Sequence, residues 1–390
     1  MIPVREALEK VLALAEVVET ETVPLQAAAG RVLAEPIVAR RLQPPFAASA
    51  MDGYAIRRDD LAQDAGFDVI GAAPAGCAFE GSVGPGQAVR IFTGGVVPEG
   101  ADFIVIQENV RRDGDRIIIT DPDAHSDNIR PAGGDFRPGD RIEAPRRLVP
   151  GDVALAAAMN VPELVVRRRP VVALLATGDE LVMPGEVPKP DQIVASNSFG
   201  LKAMFEAEGA EVRMLPIARD TEASLRAAFA LAEGADLLVT IGGASVGDLD
   251  IVGKVAGDLG MERAFYKVAM RPGKPLMAGR LNGAAMIGLP GNPVSAMVCG
   301  HLFILPMLCS MLGLGRAQAP RQKAVLGSDV AANGPREHYM RAKVKDGIVT
   351  AFERQDSALL TILADANALL VRPAEDGPRQ AGEEVEIVPL

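Results

Sequence analysis

The 390-residue chain reads as a multidomain α/β plus β protein whose second half holds a mostly parallel α/β segment. Three observations predict this. From residue 171 onward strand-like and helix-like stretches alternate, the pattern of βαβ units around a sheet covered on both faces. Between about 30 and 145 short apolar runs are separated by Gly and Pro, and after Pro320 short strands return. At roughly 100–200 residues per domain the length suits two to four domains.

The elements follow in order. Val4, Leu8, Val11, Leu12 and Ala15 recur at helical spacing, so residues 1–20 predict an amphipathic helix. Val69-Ile70, Val89–Ile91, Phe103–Ile106 and Ile117–Ile119 predict strands of a β-rich module, with a turn at Asp113-Gly114-Asp115. Residues 152–159 are helical again, and Arg167-Arg168-Arg169-Pro170 punctuates the chain as a solvated domain edge. The alternating segment predicts strands at Val171–Ala176, Val212–Ile217, Leu237–Ile241, 264–269 and 284–289. Helices are expected at 197–208, 221–233, 249–258 and after Asn292. Strands at His338–Lys345, Ile348–Phe352, Ala368–Val371 and Val385–Val388, around the turn Lys345-Asp346-Gly347, form a small C-terminal β-domain.

Composition excludes several classes. The formal charge of −11, from 40 basic and 51 acidic residues, argues against a protein that mainly neutralises nucleic acid. Three Cys and three His, none in a CxxC or HxxxH pair, argue against a zinc site or a disulfide framework and suit a reducing cytosol. The N-terminus has acidic residues early and no cationic start, so a signal peptide is not expected. Val294 to Leu314 is apolar enough to raise a membrane span. Gly300, His301, Pro306 and Ser310 within it favour a buried helix, and no membrane association is expected.

Four loops leave predicted strands at the ends where ligands of α/β sheets bind. They are Ala176–Leu181, Ile241–Asp250, Met270–Pro275 and Gly288–Ala296. In the second and fourth, Gly242, Gly243, Gly247 and Gly291 let backbone N–H groups approach an anion, a helix N-terminus adds partial positive charge, and Ser245 can donate. A tight turn with a Ser or Asn N-cap explains either loop equally well. Neither matches GxGxxG or GxxxxGK[ST]. The third loop presents Lys267, Arg271 and Lys274 on a backbone fixed by Pro and Gly, which suits an oxyanion. Asp179, Glu180, Asp220, Asp248 and Asp250 lie near the same strand ends. Carboxylates beside a phosphate site hold magnesium, although Asp220 and Asp248 could equally be helix caps. His125, His301 and His338 are isolated and support no nucleophilic dyad.

Seven segments in order are specific where each alone is not. They are Ser49–Ala55, Thr93-Gly94 with Val97–Asp102, Asn128–Gly133, Ala176–Leu181, Ser245–Asp248, Arg271–Pro275 and Gly288–Pro293. In these the chain resembles the molybdopterin molybdenumtransferase (molybdenum insertase) family, called MoeA in bacteria and related to the gephyrin E domain. The resemblance spans essentially the whole chain. It implies an elongated domain from 1–26 and 140–170, an inserted β-rich module at 27–139, a molybdopterin-binding α/β domain at 171–318, and a C-terminal β-barrel at 319–390. It implies a cytoplasmic homodimer with a composite active cleft that joins the α/β domain of one subunit to the β-module of the other. It also implies a Mg²⁺-dependent transfer of molybdenum from molybdate to adenylylated molybdopterin, with release of AMP.

By motif, the resemblance puts catalytic roles on Asp52, Thr93, Glu180, Asp250, Lys267 and Arg271, and metal binding on Asp220, Asp250 and Glu180. Pterin and phosphate contacts fall on Thr177, Gly178, Gly242, Gly243, Ser245, Gly247, Lys274, Pro290, Gly291, Asn292, Pro293 and Ser295. Implied partners are a molybdopterin adenylyltransferase and maturation proteins of molybdenum enzymes. Two departures stand out: Ala47 and Ala48 occupy positions where relatives often carry polar residues, and Arg271 stands where some have Lys. Two rivals share the α/β fold, molybdopterin adenylyltransferase and a non-enzymatic scaffold. The former is essentially the α/β domain alone, and the intact acids and cations weigh against the latter.

Overall fold

Alternation of buried residues organises the central sheet. In the strand Val171–Ala176, Val172 and Leu174 face one core while Ala173 and Leu175 face another. Val239 and Leu238 divide the same way in Leu237–Ile241. A strand buried on both faces is what a parallel sheet between helical layers demands. One layer contains the helices Val4–Leu14, Asn197–Ala207 and the apolar stretch from Pro293; the other contains Glu222–Ala230 and Ile251–Asp258.

The computed structural model describes residues 1–123, 125–243, 251–315 and 317–390. Contacts divide it into two units: Met1–Glu21, Gly30–Ala34 and Val166–Leu390 form the first, and Thr22–Ala29 and Glu35–Val165 the second. In the first unit the six-stranded sheet runs Glu211–Met214, Val171–Ala176, Leu237–Ile241, Ala284–Leu289, Met277–Leu281, Glu262–Tyr266. The first four strands are mutually parallel, and the last two pairings are antiparallel, so that Met277–Leu281 alone runs against the rest of this sheet. This corrects the strand expected at 264–269. The strand ends at Tyr266, and Ile2 takes over the pairing by donating to the Lys267 carbonyl and accepting from the Ala269 amide. Met270–Arg271 then pairs in parallel with Glu337–Lys345.

Glu337–Lys345, Ile348–Ala351, Gln322–Leu326, Glu384–Pro389 and Ala368–Arg372 close into a five-stranded barrel, because the last strand pairs back onto the first. Closure leaves no sheet edge in that ring. Its interior holds Leu326, Ala342, Val349, Leu370 and Ile387.

The apolar stretch is one helical run, Pro293–Met311, long and apolar enough by composition to cross a membrane; 78% of its most apolar window is buried. That is the expected core helix. Leu305 N–H reaches back five residues to the Gly300 carbonyl just before Pro306. The widened turn accommodates a residue that lacks its own N–H.

The arginine run is not a solvated edge. Arg168 donates twice to Asp236, at 2.7 Å each, and once to Glu19 at 2.6 Å, while Asp236 also accepts the Val171 amide. The clamp fixes the starts of two neighbouring parallel strands. Burial raises the Asp236 pKa, but the Arg168 and Val171 hydrogen bonds and the charges of Arg168 and Arg213 outweigh it and hold the carboxyl below its ordinary 3.8. A depressed folded-state pKa means that the ionised form favours folding. The contribution is complete above the unfolded value and is lost as pH falls through the folded one. Asp236→Asn should therefore cost about 2 kcal/mol at pH 7. Urea melts should show the difference shrinking below about pH 4; a difference constant from pH 7 to pH 2 would refute the clamp.

In the second unit a mixed sheet runs Phe103–Ile106, Gly53–Ile56, Gln87–Ile91, Gly66–Ala73, Arg116–Ile119, Val110–Asp113. Tyr54, Phe103 and Val105 pack on one face, and Ala55, Val89 and Ile104 on the other. The hairpin through Gly114 and Asp115 lies where the Asp-Gly signal placed a turn.

Candidate active site

Topology locates the main cleft before any side chain does. The strand Val171–Ala176 is followed in sequence by Glu211–Met214 on one side and then by Leu237–Ile241 on the other. Chains that leave neighbouring strands in opposite directions open a crevice beyond the carboxyl ends. A cleft of about 560 Å³ lies there. Its floor comes from Ala176–Gly178, Ile241–Gly243 and Pro290–Pro293. The strand ends are joined directly: Thr177 N–H donates to the Ile241 carbonyl at 3.0 Å and Gly242 N–H to the Leu289 carbonyl at 3.1 Å.

Two carboxylates, Glu180 and Asp220, face this cleft. Burial, then the charges of Asp179 and Glu180, push the Asp220 carboxyl above its ordinary value, and a backbone hydrogen bond from Asp179 offsets part of this. Capping does not account for Asp220, because the Thr221 hydroxyl accepts the Ser224 amide at the start of the helix Glu222–Ala230. Among the described residues no three Asp, Glu, His or Cys side chains converge as a ready-made metal cage. Asp248 and Asp250, like Ser245 and Gly247, lie outside the described residues.

Asn292 occupies the N-cap position of the helix that begins at Pro293, but its side chain makes no capping bond. Ser295 is buried within the first helical turn and does not line the cleft. Sequence reasoning missed the opposite wall, Ile193 to Ser198, where Asn197 Nδ2 donates to the Gly291 carbonyl at 2.7 Å. The signal available was the run Ser196-Asn197-Ser198 at a helix start, which resembles any N-cap.

Lys267, Arg271 and Lys274 do not line the cleft, although the adjoining Pro275 does. None of the three has an ion pair among the described residues. The Lys267 ammonium sits 5.0 Å from the centre of the Tyr266 ring. Arg271 is exposed and stands in register with the buried His338. Burial, reinforced by the charges of Arg271, Arg341, Arg372 and Arg336, pushes that imidazole down to about 4, so it is neutral at pH 7.

The second unit has its own polar centre. Asp52 Oδ1 accepts the Thr93 amide at 2.7 Å and the Thr93 hydroxyl at 2.8 Å. These two bonds, with a smaller contribution from the Arg90 charge, outweigh desolvation and hold the carboxyl below the usual carboxylate range.

Family comparisons agree along the whole chain. Residues 2–160 match the MoeA N-terminal region (domain I and II), 173–309 a probable molybdopterin binding domain, and 323–390 the MoeA C-terminal region (domain IV). A molybdopterin molybdenumtransferase of Nostoc sp. is 34% identical over 388 residues, covering 95% of this chain and 89% of the relative. That of Haemophilus influenzae is 35% identical over 385 residues, covering 95% and 94%. The crystal structure of the molybdopterin biosynthesis moeA protein from Pyrococcus horikoshii OT3 superposes with a TM-score of 0.84 at 30% identity, and all of both chains are covered. With relatives above 30% identity matched end to end, the chain belongs to the MoeA family, the molybdopterin molybdenumtransferases.

Proposed function

We propose that this protein inserts molybdenum from molybdate into adenylylated molybdopterin and releases AMP, with Mg²⁺ as the required ion. The observation that carries the reading is the cleft at the strand switch, where a glycine floor faces two carboxylates whose mutual repulsion no cation among the described residues offsets. Magnesium binds through one or two carboxylates plus substrate phosphates and keeps several waters, so Glu180 and Asp220 fit it without a full protein cage. Asp250 joins them by the family motif. When bound, the ion would polarise the phosphoanhydride.

The chain's own groups do the rest. The backbone N–H groups around Gly242, Gly243 and Gly291, with the helix start at Asn292, suit the phosphates and the pterin. Lys267, Arg271 and Lys274 supply positive charge near the third loop, which offsets the repulsion between molybdate and phosphate. Asp52 and Thr93 form an ordered acceptor and donor pair. The protein works in the cytosol as a homodimer, in which the β-module of one protomer completes the cleft of its partner. A molybdopterin adenylyltransferase supplies the substrate, and maturation proteins of molybdenum enzymes receive the product.

The test is to mix purified protein with adenylylated molybdopterin and molybdate and to follow AMP release with and without Mg²⁺. Release that needs both molybdate and Mg²⁺ is expected. Absence of release under every condition would leave a binding protein of the same fold. In the same assay, Asp52→Ala and Asp220→Ala protomers, each inactive alone, should regain activity when mixed if the cleft is composite.

A further inference from the structure

We infer that Arg90 is a positioning residue for the Asp52–Thr93 pair, holding together the two chain segments that bring the carboxylate to its donors. Its two guanidinium arms reach different segments, the strand Gly53–Ile56 and the short helical turn Gln107–Asn109 that follows Phe103–Ile106. Nη1 donates to the Gly53 carbonyl at 2.9 Å and Nη2 to Gln107 Oε1 at 2.6 Å. Its central carbon lies 4.8 Å from the Phe92 ring centre and 5.0 Å from that of Tyr54. Gly53 follows Asp52, and Phe92 precedes Thr93. One planar cation therefore grips the neighbour of the acceptor and the neighbour of the donor, and both the fork and the stacking depend on guanidinium geometry.

Backbone bonds share in fixing this junction: the Gly94 amide donates to the Ser49 carbonyl at 2.9 Å and the Gly95 amide to the Phe92 carbonyl at 2.8 Å, which tie down the turn but leave the Thr93 side chain to its bond with Asp52. The Gln107 amide donates to the Asp52 carbonyl at 3.0 Å, so the residue that holds Nη2 also holds the Asp52 backbone. The backbones at Gly53 are in tight contact: a Cβ there would lie 2.1 Å from the Val105 carbonyl oxygen. Phe92, Thr93 and Gln107 are exposed, so their side chains are held by these polar and stacking contacts more than by core packing. The Arg90 charge also favours the ionised form of Asp52.

The catalytic consequence rests on the function proposed above, whereas the geometric claim does not, and two readouts separate them. The first is the Thr93 amide resonance, which reports Asp52 ionisation because that amide donates to its carboxylate. Arg90→Met keeps the stem and loses the fork. It should raise the midpoint of the Thr93 amide titration and speed its hydrogen exchange about tenfold, with Arg90→Lys intermediate. Asp52→Asn should abolish the titration. The second readout is AMP release, for which Arg90→Met should lower kcat about tenfold at nearly constant KM.

Gln107→Met, an exposed change that removes one arm's partner, should move the amide in the same direction by less, and it serves if Arg90→Met does not fold. A Thr93 titration and exchange rate unmoved in the folded variants would overturn the inference. A Thr93 amide that moves in a protein whose wild type releases no AMP would sustain the positioning geometry and overturn the assigned reaction.

Discussion

Asp220→Asn should make the protein more stable and nearly inactive. The folded-state pKa of Asp220 is raised by burial and by the charges of Asp179 and Glu180, so its ionised form opposes folding. The penalty is complete above the folded pKa and vanishes below the unfolded value of 3.8. Asparagine removes the charge and keeps the shape. Tm should rise at pH 7, and the gain should disappear in melts near pH 3. Activity should move the other way, since a missing metal ligand typically removes about 100-fold or more of transition-state stabilisation. Magnesium should raise the Tm of the wild type by mass action and leave the variant unmoved. Residues arranged for a ligand rather than for the fold give this opposition of stability and activity. A variant that melts lower at pH 7, or one that still responds to magnesium, would show that Asp220 serves the fold instead.

Local periodicity accounts for most of what could be read from the chain alone. The strands at 171–176 and 237–241, and four of the five in the barrel, announce themselves as short apolar runs between turn residues, whereas the barrel strand Gln322–Leu326, with Gln322 and Lys323 in its first half, did not. The strand Met277–Leu281 did not, because Met-Ala-Gly-Arg-Leu has neither alternation nor β-branched residues; its place depends on the neighbours Glu262–Tyr266 and Ala284–Leu289. Arg168 illustrates the same limit for side chains. Its partners Glu19 and Asp236 lie 149 and 68 residues away, and nothing in Arg-Arg-Arg-Pro distinguishes a clamp from a solvated run. Within the cleft, Thr177, Gly178, Glu180, Asp220, Gly242, Gly243 and Pro290–Pro293 come together because all sit just beyond strand ends. Strand-end position is legible in sequence. The Ile193–Ser198 wall is supplied by a connection that returns across the cleft, and its path is a tertiary fact.

Two glycines of the cleft floor should part company when each is changed to alanine. Gly242 has φ +89°, and a Cβ there would stand 2.7 Å from the Thr177 carbonyl oxygen. That carbonyl cannot retreat easily, since the adjoining Thr177 amide is bonded to Ile241 and the Gly242 amide is bonded to Leu289. Left-handed backbone strain of roughly 1–2 kcal/mol adds to the overpacking, so Gly242→Ala should cost about 2–4 kcal/mol in urea melts. Gly291 faces the same space from the neighbouring strand end, but its added Cβ would meet only the Gly242 Cα, at an ordinary 3.6 Å. Gly291→Ala should therefore melt like the wild type. If adenylylated molybdopterin lies against this floor, the new methyl group occupies ligand space, and KM should rise about tenfold while Tm stays fixed. Stability loss belongs to the glycine wedged between strands, and affinity loss without stability loss to the one that only borders the cleft. A Gly291→Ala enzyme with wild-type KM would place the pterin elsewhere, and a Gly242→Ala protein as stable as the wild type would mean that the strand ends are not packed as tightly as their hydrogen bonds imply.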